Sequence, residues 1–93
     1  KAQEMTWNLF LDAERKPPLD KRVWFLAKNL YTLEVLLFTK GEPSLVSLNA
    51  DFEENGISAF ELVRRFKTNP EILVHSGNSV SKNNILNYSR RNS

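Results

Sequence analysis

Ninety-three residues predict one domain with no room for a second, and a chain this short hides only about 60–65% of its unfolded surface. Hydrophobic residues at 41%, with six Phe, two Trp and two Tyr, can fill that core, while the absence of Cys excludes disulfides and thiolate metal sites. Thirteen Lys and Arg against eleven Asp and Glu leave +2, a mixed surface that does not argue for nucleic acid.

Lys1–Glu4 reads as a frayed end, and KAQEMTWN is no signal peptide. Met5–Leu11 (MTWNLFL) reads as a strand apolar on both faces, as parallel strands are. It runs into DAERKPP, where Pro17 and Pro18 stop regular structure. Arg22–Lys28 (RVWFLAK) is the second strand, and the connection is too short and proline-bound for a crossover helix. Asn29 caps a helix whose Leu30, Leu33 and Leu37 share one face. Val35, Leu36 and Phe38 widen that face, which predicts a well-buried helix closed by Lys40 and Gly41.

The third strand (Leu45, Val46, Leu48) passes through an acidic loop to an Asn55-Gly56 turn. Ser58 with Glu61 has capping-box spacing for a helix carrying Ala59, Leu62, Val63 and Phe66. Asn69-Pro70 leads to a fourth strand, Glu71–Val74. A short polar helix and a disordered Ser89–Ser93 tail close the chain. Alternation of this kind predicts a parallel sheet with helices on both faces, a three-layer α/β fold. No apolar run approaches the ~20 residues of a membrane span, so the expectation is a cytoplasmic protein with no membrane partner.

In open α/β sheets ligands collect beyond the carboxyl ends of the strands. The first strand brings Asp12, Glu14 and Arg15 there, the third Asn49 and Asp51, and the fourth His75, Ser76 and Asn78. Asp12, Glu14 and Asp51 suit Mg²⁺, which prefers oxygen ligands. His75, the single histidine, could act as general acid or base, and Arg15 could hold a phosphate bidentately. The expected catalytic set is Asp12, Asp51 and His75, with Glu14, Arg15, Asn49, Ser76 and Asn78 binding ligand. Glu53 and Glu54 read as solvated loop charges, Arg64, Arg65 and Lys67 as cations closing a helix, and Trp7, Trp24, Phe10, Phe60 and Phe66 as core. No Walker A, GxGxxG, HExxH or nucleophile elbow is present.

The plan resembles the receiver domain of two-component response regulators. A closer likeness is to cyclic-phosphate-processing receiver domains, which carry FLDDERxPP-like, SLDHDLG-like and VHSxN motifs. This chain has FLDAERKPP at Phe10–Pro18, SLNADFE at Ser47–Glu53 and VHSGN at Val74–Asn78. The resemblance implies a receiver-like (flavodoxin-like) domain with four parallel strands, lacking the first crossover helix and fifth strand. It also implies binding or hydrolysis of a cyclic-phosphate or nucleotide-like ligand in a phage–host conflict setting, by a metal-dependent phosphoesterase if the site is active. Asp12, Glu14, Arg15, Asp51, His75 and Asn78 match the family's polar positions. Ala13, Asn49 and Ala50 replace two acids and a histidine, and only distant Lys82 could stand for the receiver lysine. Those losses motivate the alternative of a catalytically dead phage-type protein that binds and redirects a host protein. Exposed strand edges would also allow a dimer.

Overall fold

The computed structural model describes residues 6–75 and 79–91. Strands β1 (Asn8–Leu11), β2 (Trp24–Ala27), β3 (Leu45–Asn49) and β6 (Glu71–His75) form one sheet in the order β2-β1-β3-β6, and every pair is parallel. Helices α1 (Leu30–Lys40), α2 (Ala59–Arg65) and α3 (Ser79–Arg91) alternate with them. Between β3 and α2, β4 (Glu53–Glu54) and β5 (Ile57–Ser58) make a small antiparallel hairpin.

Register decides which face is the core, because successive side chains point to opposite faces. Leu9, Phe25, Val46 and Ile72 lie in one cross-sheet row, and Leu11, Ala27, Leu48 and Val74 in another. Six of these belong to the hydrophobic cluster that also takes in Leu33 of α1, Leu62 and Val63 of α2, and Ile85 of α3, and Phe25 and Val74, partly buried, pack against it. The intervening row, Phe10, Leu26, Ser47 and Leu73, contributes nothing to that cluster. The three helices therefore pack on one face, and the expected three-layer fold is a two-layer one.

The cause is the proline-bound connection. The chain steps one way from β1 to β2 and back across β1 to reach β3. Right-handed crossovers place helices from opposite steps on opposite faces. Only the β1–β2 crossover would have covered the second face, and residues 12–23 form no helix, as the sequence predicts. The α/β class and the parallel four-stranded sheet are as expected.

Local signals hold the elements in place. Asn29 Oδ1 accepts from Thr32 N at 2.8 Å to start α1, and Gly41, at φ 79°, closes it through its N–H to Leu37 O. Ser58 Oγ accepts from Glu61 N at 3.3 Å to start α2. Asn55 (φ 52°) and Gly56 (φ 79°) give the two positive φ values of a type I′ hairpin turn. Glu54 is no solvated loop charge: its carboxylate accepts from Leu30 N at 2.8 Å, where an acid complements the α1 dipole.

Two other expectations change. α1 is not well buried: only Leu33 is enclosed, while Tyr31, Val35 and Phe38 face outward, Phe38 at 90% exposure. α3 is not short, and runs through the expected tail to Arg91. Among the described residues no helix is long and apolar enough to cross a membrane.

Candidate functional site

Asp12 follows β1 directly, and its N–H bonds Ala27 O at 3.1 Å, which carries the β1–β2 ladder one step further. Its side chain is fully buried. Oδ1 accepts from Glu14 N at 2.8 Å and Arg15 N at 3.1 Å, folding the DAER segment into an Asx-type turn. Oδ2 lies 2.8 Å from His75 Nε2 and 3.7 Å from the Arg15 guanidinium. Burial alone would raise the Asp12 pKa. The two backbone N–H donors and His75 outweigh it, so the carboxyl sits below its ordinary value.

His75 ends β6, two strands away from β1. It reaches Asp12 by lying across β3, where the small Ser47 leaves room. Ser47 Oγ is 3.1 Å from His75 Nδ1, and the imidazole stacks on Phe10 with centroids 4.8 Å apart and planes 6° from parallel. A carboxylate only accepts, so Nε2 carries the proton toward Asp12, and whenever the ring is neutral Nδ1 accepts from the Ser47 hydroxyl. Ser47, His75 and Asp12 thus form one continuous hydrogen-bonded chain at the carboxyl edge of the sheet. His75 keeps 24% of its side chain exposed and Arg15 53%, so the chain opens to solvent at these two residues.

Of the residues expected at this edge, Asp12, Arg15 and His75 come together. Glu14 contributes its backbone N–H while its side chain is exposed. Asn49 Oδ1 accepts from Asp51 N at 2.8 Å and shapes the turn after β3, and Asp51 is exposed. Ser76 and Asn78 lie outside the described residues. Ser47 was missed, because a serine inside an apolar strand carries no local signal.

The donor set does not fit Mg²⁺ as expected from Asp12, Glu14 and Asp51. Both Asp12 oxygens already face hydrogen-bond donors, one beside a guanidinium. Among the described residues no three His, Asp or Glu side chains gather into a group able to hold a metal ion.

Trp24 departs from its expected place in the core: it is only partly buried, on the helix-free face, and meets Phe10 edge-on at 6.0 Å. Compared with protein-family models, curated proteins and solved structures, the chain matches none.

Proposed function

We propose that this is a receiver-like domain that binds, and slowly hydrolyses, a small cyclic-phosphate or nucleotide-like ligand at the carboxyl edge of its sheet. The observation that carries the reading is the Ser47–His75–Asp12 chain beside Arg15, assembled from residues 63 positions apart in sequence. The strand order, which flavodoxin-like sheets share over four strands, supports the receiver-like part.

Arg15 has guanidinium donors beyond those turned to Asp12 and can bind phosphate oxygens. His75 can accept a proton at Nδ1 from the Ser47 hydroxyl, or from a water that takes its place, with Asp12 stabilising the imidazolium. Attack of that water oxygen on phosphorus opens one P–O ester bond. The leaving alkoxide takes the proton back from the imidazolium. No metal ion enters this scheme.

Titration of the protein with 3′,5′-cyclic AMP and AMP, followed by backbone NMR, tests it. Shifts confined to residues 10–15, 47–51 and 75, weakened in Arg15→Ala and His75→Ala, are expected. No shift at millimolar nucleotide would sink the reading.

The alternative, a protein-binding role without catalysis, has its own observation. Tyr31, Val35 and Phe38 recur at helical spacing along α1 and are all exposed. That stripe is the place to look for a protein partner if no phosphate compound binds.

A further inference from the structure

The β1–β2 connection folds beside β2 and borders an open groove of about 810 Å³. Its walls carry Arg15, Lys16, Arg22 and Lys28 against only two acids, Glu14 and Asp20. Asp20 accepts from Arg22 N at 2.9 Å and from Trp24 Nε1 at 3.2 Å, and its second oxygen lies 4.0 Å from the Arg22 guanidinium. With four cations against two acids the groove is cationic in balance, and its volume lies in the ~300–1,000 Å³ range of small-molecule sites.

Its apolar lining includes Trp24 and Leu26. The bond to Asp20 orients the indole, and Phe10 braces it edge-on. The Arg22 guanidinium carbon lies over the Trp24 ring at 5.7 Å from the centroid, a cation–π approach longer than stacking distance. Arg15 belongs to both places, 3.7 Å from Asp12 Oδ2 and on the groove wall. Phe10 links them a second time, touching Trp24 with its edge and stacking on His75.

We propose that this groove seats the base of a mononucleotide on Trp24, with Arg22 displaced toward the phosphate and the phosphate held at Arg15. The inference rests on the phosphate-handling reading and narrows its ligand class from cyclic-phosphate or nucleotide-like compounds to mononucleotides with a seated base. The anionic phosphate meets Arg15 in a groove that is cationic in balance, and the planar base meets an indole. Stacking of a base on an aromatic side chain is worth ~1–3 kcal/mol by alanine substitution, or about five- to hundredfold in affinity.

The test compares AMP with ribose 5-phosphate, which carries the same phosphate and no base. Trp7 is buried at 6% exposure, so quenching of tryptophan fluorescence reports on Trp24. AMP should quench the emission and bind about tenfold tighter than ribose 5-phosphate. In Trp24→Leu, calorimetry should find AMP reduced to the affinity of ribose 5-phosphate while the sugar phosphate binds as before, which also shows that the variant folds. Equal affinities in the wild type, or a preference for AMP that survives Trp24→Leu, would overturn the base seat and leave phosphate binding standing. Failure of both probes to bind would remove the base seat, and failure of 3′,5′-cyclic AMP as well would remove the reading beneath it.

Discussion

Asp12→Asn should reverse the polarity of the hydrogen-bonded chain without removing any heavy atom from it. In the wild type Oδ1 takes two backbone N–H groups and Oδ2 takes the His75 Nε2 proton at 2.8 Å. The substituted amide can keep an oxygen toward Glu14 and Arg15 only by turning its NH₂ toward His75. Nε2 must then accept, the ring proton moves to Nδ1, and Nδ1 donates to Ser47 Oγ. Flipping the amide instead sets its NH₂ against two N–H donors, which is worse. Hydrogen bonds to a charged group are worth ~1.5–3 kcal/mol and neutral ones ~0.5–1.5, so the exchange should destabilise the fold by about 1–2 kcal/mol. His75 is the single histidine of the chain, so the ring ¹⁵N spectrum reads its tautomer without assignment ambiguity. Nε2–H in the wild type and Nδ1–H in the variant are expected, with a matching drop in urea stability. A ring that keeps Nε2–H in the variant, or an unchanged denaturation midpoint, would refute the assigned donor directions.

Acid should destabilise the protein through Asp12 and Glu42, whose carboxyls both sit below their ordinary values of 3.8 and 4.5. At Glu42 burial raises the pKa, and bonds from Lys67 N, Thr68 N and the Thr68 hydroxyl outweigh it. The unfolded chain then binds more protons, so their stabilisation is complete above the unfolded values and is lost as pH falls through the lower folded ones. Denaturation midpoints between pH 7 and 2 should fall less steeply in Asp12→Asn and Glu42→Gln, and curves parallel to wild type would contradict this. Glu42→Ala should cost about 1–3 kcal/mol and speed amide exchange at Lys67 and Thr68, whose N–H groups it accepts at 2.8 and 2.9 Å. Gly56→Ala should cost about 1–2 kcal/mol by backbone strain alone, since φ is 79° and no atom lies within 4 Å of an added Cβ; a neutral result would dispute the type I′ turn. Phe38→Lys should change stability by less than about 0.5 kcal/mol, because that side chain is 90% exposed, and a larger loss in thermal melts would mean that it is packed.

Signals that act over a few residues were legible in the chain. Asn29, Gly41, Asn55-Gly56 and Ser58 each satisfy or bend nearby backbone, and each does so at the expected position. Asp12, Arg15 and His75 were also legible, because the carboxyl-edge rule needs only strand order and direction. Statements about faces failed, since they depend on register and on what covers the sheet. α1 is apolar nearly all round, so its sequence contains no direction to separate buried Leu33 from exposed Phe38. Trp24 read as core because an indole in an apolar strand does so wherever a second layer of helices exists. Ser47 acquires meaning only when β3 is paired between β1 and β6, which brings its hydroxyl to Nδ1 of His75.

Pro17 and Pro18 connect these results. A helix between β1 and β2 would have covered Phe10 and Leu26 on the second face of the sheet. Without it, Leu26 is only partly buried, while Phe10 is sheltered by the rings of Trp24 and His75. The same loop starts at Asp12, which turns it, and carries Arg15 to the edge and Lys16 to the groove wall. Shortening the connection thus removes a layer of core and puts an imidazole, a guanidinium and an indole on one continuous surface. A full crossover helix grafted between Asp12 and Val23 should accordingly stabilise the fold by covering apolar surface, and abolish nucleotide binding by filling the groove. A graft that stabilises the protein yet leaves AMP binding intact would separate the loop from the site.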